Sequence, residues 1–233
     1  GITAHDVLKE LKAGVKGLRL AFAESVFWED VHPEVAQAVR ACGSVFEALG
    51  AEVSRLDFSE AGEARELNPG GVVITAEGYT LNQKWLEAHF DELDPVVARR
   101  MIKGKEISAD QYLSTSYRAR QLRAKAGNTL KDIDALLVPT TPDPAKPVAE
   151  IDTSMDNYLA HNIRYLRNTS IGNILNFCGL SLPCGFTAGG MPIGLLIYGK
   201  PFEEDVILRI GHAFQQATDW HQRQPDLSWA TGA

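Results

Sequence analysis

Hydrolytic and transfer chemistry needs a nucleophile beside a base, a ligand set for a metal, or a glycine-rich cradle for phosphate. His5, His32, His89, His161, His212 and His221 are scattered along the chain rather than gathered at metal-ligand spacing. Cys42, Cys178 and Cys184 are odd in number and form no paired motif. They read as small buried thiols in a reducing compartment, not as a disulfide framework or a zinc site. The Gly-x-Ser-x-Gly turn that presents a hydrolase serine is absent. No glycine-rich fingerprint follows the first strand and there is no Walker loop, so no nucleotide cofactor is expected. Glu203, Glu204 and Asp205 open a helix, where negative charge suits the dipole, and read as helix-start charge rather than an acid/base pair. His212 lies near the apolar face of the same helix and reads as a core or rim histidine. Thr140 and Thr141 follow an apolar run, at the place where a ligand would meet the end of a strand. Their hydroxyls either bond a ligand or satisfy loop backbone groups.

These residues need elements to position them. The sequence of 233 residues is 45% hydrophobic and 23% charged, an ordinary balance for a globular protein. Its net charge of -7, without a basic stripe, disfavours a nucleic-acid partner. No apolar run approaches membrane-spanning length and no secretory signal is visible, so no membrane partner and a cytoplasmic location are expected. Leu18, Leu20 and Phe22 alternate as in a strand. Residues 33–49 follow as a helix: Pro33 suits its first turn, Val35, Val39, Cys42, Phe46 and Leu49 form one stripe, and Gly50 ends it. "AEVSRLDF" reads as a second strand, which makes a βαβ unit with parallel strands.

From about residue 72 to 131 the pattern is helical, in three helices. Asp94 is expected to cap the second and Ser108 the third. Arg118, Arg120, Arg123 and Lys125 fall late in the third helix, where cations suit the dipole; one of them could also point into a pocket. Ala135–Val138 reads as a strand buried on both faces, and Pro139 stops it. Residues 154–178 read as two more helical pieces. "GLSLPCGF" and "PIGLLIYG", joined by "TAGG", read as a hairpin, followed by a C-terminal helix and a loosely ordered tail after Trp220.

The ordered set "DALLVPTTPDPA", "NFCGLSLPCGFTAGGMPIGLLIYGKPFEED" and "ILRIGHAFQQATDWHQRQP" resembles the C-terminal half of the amidase signature family, over residues 15–225. The resemblance implies an α/β fold, a three-layer α/β/α arrangement with a central mixed sheet. It implies amide hydrolysis, or ammonia transfer from an amide, by a lysine and two serines. In the family these lie in the N-terminal half, and no Gly-Gly-Ser-Ser-Gly-like run occurs here. Residues 1–233 are therefore expected to be the C-terminal part of one amidase signature domain. No catalytic residue, metal or cofactor is assigned to them. The expected partners are the N-terminal half, further copies in a homo-oligomer, and a small-molecule amide or ureido substrate. Unpaired strand edges and apolar surface would favour the first two.

By the same resemblance, Leu166, Thr169 and Asn173 line the acyl pocket, with Arg120 and Thr140 as further substrate contacts. The spacing of the first three puts them on one helical face. In the glutamine-using tRNA amidotransferases of this family, an arginine on the long helix and an aspartate near position 169 hold the substrate. Arg120 is a rough match for the arginine, but positions 169 and 170 are Thr and Ser. The resemblance therefore points to a neutral or ureido amide over glutamine. The alternatives are a portion of a tRNA-dependent amidotransferase of the same family, or a non-catalytic binding or assembly module of the same fold.

Overall fold

Leu20, Ala21, Phe22 and Ala23 are all buried within β1 (Arg19–Glu24), so this strand is covered on both faces. That differs from the simple alternation its large residues suggest, because the alanines face a second helical layer. The computed structural model describes residues 6, 8–68 and 71–225. Helix α1 (Pro33–Ala48) buries Val35, Val39, Cys42 and Phe46, the stripe anticipated from spacing. Its exit turn requires Gly50, whose φ of 89° a side chain would oppose. Strand β2 (Glu52–Asp57) then pairs with β1 in parallel.

Helix α2 (Glu60–Leu67) was not anticipated. Ala61, Ala64 and Leu67 recur every three residues and are buried, but eight residues rich in charge give only a weak periodic signal. Three helices follow as expected: α3 (Val72–Ala88), α4 (Pro95–Ile102) and α5 (Ala109–Thr129). Asp94 caps α4 by accepting from the amides of Val96 and Val97 at 2.9 and 3.1 Å. Ser108 caps α5 by accepting from the amide of Gln111 at 3.1 Å.

Strand β3 (Ala135–Pro139) is buried at every position and lies parallel to β1. Beyond it come the short α6 (Val148–Ile151) and α7 (Met155–Leu175). The reading of residues 154–178 as two helical pieces is corrected here. A single helix runs until Asn176 adopts the left-handed conformation, at φ 61°. Polar residues along α7 blur its apolar stripe in sequence, yet they make tertiary bonds that hold it straight through. Strands β4 (Cys178–Phe186) and β5 (Pro192–Gly199) form the expected antiparallel hairpin, and helix α8 (Glu204–Ala217) closes the fold. Beyond Trp220, whose ring lies 6.2 Å from Phe186, most of the tail expected to be loosely ordered lies outside the described residues.

The strand order is β2-β1-β3-β5-β4, with β5 antiparallel to β3. The sheet is mixed and sits between two helical layers. Leu20, Phe22, Leu137, Leu195 and Ile197 face α1 and α8. Ala21, Ala23, Leu136, Val138, Leu196 and Tyr198 face α2, α5 and α7. This is the three-layer α/β/α architecture expected from sequence. Among the described residues, no helix is long and apolar enough to cross a membrane.

Candidate functional site

In open α/β sheets ligands gather beyond the carboxyl ends of parallel strands. Here those ends carry the loop after β1, residues 25–32, and the loop after β3, residues 140–147. The two are joined by a bond from the amide of His32 to the carbonyl of Pro142, at 2.8 Å. Helix α7 holds both. Asn168, with none of its surface exposed, donates through Nδ2 to the carbonyls of Pro139 at 2.7 Å and Phe27 at 3.3 Å. The Arg167 guanidinium donates to the carbonyls of Phe27 at 3.0 Å and Glu29 at 2.5 Å. Arg164 pairs with Asp143 from one loop and donates to the carbonyl of Asp30 in the other, at 2.6 Å. The Tyr165 hydroxyl reaches the carbonyl of Pro144 at 2.9 Å. These side chains satisfy loop carbonyls that would otherwise have few partners.

The Arg164 guanidinium bonded to Asp143 holds that carboxyl below its ordinary range. A carboxyl depressed in the folded state contributes stability that is complete above its unfolded pKa, about 3.9. That stability is lost as pH falls through the lower folded value. Replacing Arg164 with methionine is therefore expected to destabilise the protein by about 1–2 kcal/mol at neutral pH. The difference from the parent should shrink as urea titrations are repeated below about pH 4. A difference independent of pH would show that the ion pair is not its source.

The floor of the site is the sheet face under α7. Along β4, Leu180, Leu182 and Cys184 turn toward the α1 and α8 layer. Gly179, Ser181 and Pro183 lie on the other face, where the first two are exposed. The next strand supplies Tyr198, which pairs in register with Gly179. Its hydroxyl donates to the carbonyl of Asn168 at 2.8 Å, and burial pushes its pKa up. Gly172 of α7 and Gly179 both lie against the Tyr198 ring. At the end of β3 the hydroxyls of Thr140 and Ser181 are 2.7 Å apart. Gly194 leaves room for them, since a Cβ there would lie 2.6 Å from the Thr140 Oγ1.

The residues singled out from sequence fall as follows. Leu166 and Asn173 are exposed on α7 and Thr169 between them is half-buried. The Thr169 hydroxyl donates to the carbonyl of Leu166 at 3.1 Å. The carbonyl of Thr169 lies 3.4 Å from the Tyr198 hydroxyl, which ties this flank of α7 to the floor. Thr140 stands at the carboxyl end of β3 as anticipated. Thr141 donates to the carbonyl of Asp143, 2.9 Å away, within its own loop. Arg120 is exposed on α5, whereas Arg123 donates to the carbonyl of Ile174 at the end of α7, at 2.7 Å.

Sequence reasoning missed Arg164, Arg167, Asn168 and Ser181. The first three sit among other polar residues of a helix, and their carbonyl partners lie far away in the sequence. For Ser181 the signal was present: a hydroxyl between Leu180 and Leu182, on the opposite face of the strand from both. Among the described residues no group of three or more His, Cys, Asp or Glu side chains could hold a metal ion. As it stands, the arrangement is an open shelf with paired hydroxyls at one end, braced by charged and amide side chains. The two hydroxyls, bonded to each other, do not form a nucleophile and base.

A family model described as Amidase matches residues 3–208. An amidase of Pseudomonas putida is 34% identical over 221 residues, covering 93% of this chain and 46% of that protein. The A subunit of the glutamyl-tRNA(Gln) amidotransferase of Roseiflexus sp. is 32% identical over 244 residues, 95% of this chain and 49% of that protein. The chain spans about half the length of these relatives. Among solved structures, 6-aminohexanoate cyclic dimer hydrolase superposes with a TM-score of 0.82 at 19% identity, over 97% of this chain and 50% of that one. At that identity the likeness concerns the fold alone.

Proposed function

The chain belongs to the amidase family, and from that premise we propose that it forms the scaffold and pocket wall of a serine-dependent amide hydrolase. In this reading residues 1–233 are the C-terminal part of one amidase signature domain. The lysine and two serines that act on the amide lie on a preceding part of the same enzyme. The observation that carries it is the open shelf between α7 and β4. In this reading Leu166, Thr169 and Asn173 form its wall, and Thr140 and Ser181 stand at its end. A wall that is apolar at Leu166 and uncharged at Thr169 and Asn173 suits a neutral or ureido amide. Its polar groups would orient the carbonyl and amide while the apolar part displaces water. Arg120 would approach the substrate from α5. Free Cys42, Cys178 and Cys184 are in keeping with a reducing, cytoplasmic setting.

Binding wall and nucleophile supplied by different parts of one domain predict a clear labelling pattern. On treatment with a fluorophosphonate, intact-mass analysis should find no adduct on the 233-residue chain alone. It should find one adduct on the complete enzyme, mapped outside these residues. An adduct on a serine of this chain would overturn the assignment. No adduct on either, with no amide hydrolysis, would favour a non-catalytic module of the same fold. A second reading, a portion of a tRNA-dependent amidotransferase, draws on the 32% identical relative from Roseiflexus sp.. Glutamine-dependent ammonia transfer would support it, and Thr169 in place of a carboxylate argues against it.

A further inference from the structure

Helix α3 has two apolar stripes. Val72, Tyr79 and Leu86 recur every seven residues and are buried against the helices that follow. Roughly 130° around the helix, Ile74, Gly78, Leu81 and Trp85 recur at intervals of four, three and four residues. That is the spacing of a coiled-coil seam. Ile74 is 74% exposed, Leu81 84% and Trp85 54%. Three large apolar residues this bare on one helical stripe exceed the scattered exposure normal for a protein surface. A Cβ built on Gly78 meets nothing within 4 Å, so a gap in the stripe opens outward.

We propose that this stripe is the contact between two copies of the chain, with one α3 lying antiparallel to the other across a two-fold axis. The residues are self-complementary in that arrangement. In an antiparallel pair centred between residues 79 and 80, Leu81 of one copy lies over Gly78 of the other and fills its gap. Ile74 lies against the indole of Trp85. The stripe is flanked on one side by Glu77 and Lys84, seven residues apart. Reversing the direction of the second helix sets Glu77 of each copy beside Lys84 of the other, giving two ion pairs. In a parallel pair that flank would face the opposite one, which carries Thr75 and Asn82, and Glu77 and Lys84 would not meet. Glu77 keeps an oxygen within 2.7 Å of the Tyr112 hydroxyl, which steadies it on that side. The contact is isologous, the commonest form of dimer interface, and closes on itself. A two-helix contact is small, so the dimer should be concentration-dependent rather than permanent.

The test is sedimentation of the full-length protein across micromolar concentrations, with and without substitutions on α3. The parent should sediment as a monomer–dimer equilibrium. Leu81→Glu should weaken the dimer about a hundredfold, because two carboxylates would face apolar surface. Glu77→Lys or Lys84→Glu alone should each weaken it about tenfold. The double reversal Glu77→Lys/Lys84→Glu should restore it, which a loss of folding cannot mimic. A parent that stays monomeric throughout the range would overturn the proposal, as would a dimer indifferent to Leu81→Glu. Leu81→Glu lowering the melting temperature without changing the mass would mean that another part of the same polypeptide covers the stripe, and would overturn it too.

Discussion

Replacing Asn168 with leucine is expected to lower stability by about 3 kcal/mol. The side chain has no exposed surface, and its amide serves the carbonyl of Pro139 at the end of β3 and that of Phe27 in the loop after β1. Leucine fits the volume but leaves both carbonyls buried without that donor, each costing about 1–3 kcal/mol. The Arg167 Nε, which donates to the Asn168 Oδ1 at 3.0 Å, loses its acceptor as well. Aspartate keeps the shape, removes the donor and turns an oxygen toward the carbonyls, so Asn168→Asp should be at least as damaging. Urea titration should show a lower midpoint with an unchanged slope. A loss below about 1 kcal/mol for both variants would mean that the loops are held without this residue. The same substitution should loosen the loops beyond β1 and β3, and under the proposed function affinity for an amide substrate should fall even where the variant remains folded.

Gly172→Ala carries the other large expected effect, a loss of about 2–3 kcal/mol. A Cβ at that position would lie 2.3 Å from the edge of the Tyr198 ring and 2.5 Å from its hydroxyl oxygen. The ring cannot move freely: it lies 5.8 Å from Phe177 and 6.3 Å from Phe27, and its hydroxyl is bonded to the Asn168 carbonyl. The helix must therefore lift from the sheet, which would also displace the proposed pocket wall. If the ring is the obstacle, Tyr198→Leu should be costly alone yet less than additive with Gly172→Ala. The double variant should recover at least about 1 kcal/mol relative to the sum. Strict additivity, measured by the same titrations, would place the strain elsewhere.

Both effects concern residues whose partners are far away in the chain, and this marks how far sequence reading reaches. The βαβ unit was legible because Val35, Val39, Cys42 and Phe46 repeat at helical spacing between two short apolar runs. The hairpin was legible because β-branched and apolar residues flank a turn with two glycines. The caps at Asp94 and Ser108 were legible because a cap is satisfied within three residues. Helix α2 was missed because eight residues with four charges bury only small side chains. The extent of α7 was misread because its polar residues seemed to interrupt it.

The candidate site divides in the same way. The one-sided spacing of Leu166, Thr169 and Asn173 follows from helical geometry, and the place of Thr140 follows from the end of a strand. By itself, then, the sequence determined the layered α/β class, the order of most elements and membership of the family. Each rests on short-range periodicity or on an ordered set of motifs. Only the tertiary structure decided that Asn168, Arg167 and Arg164 are braces for loops rather than a wet surface. It also decided that Ser181 meets Thr140, and that Gly172 and Gly179 make way for Tyr198. A buried polar group is defined by its partner, and a glycine's necessity by what lies opposite. Here those partners stand between about 20 and 140 residues away in the chain, well beyond the reach of any local pattern.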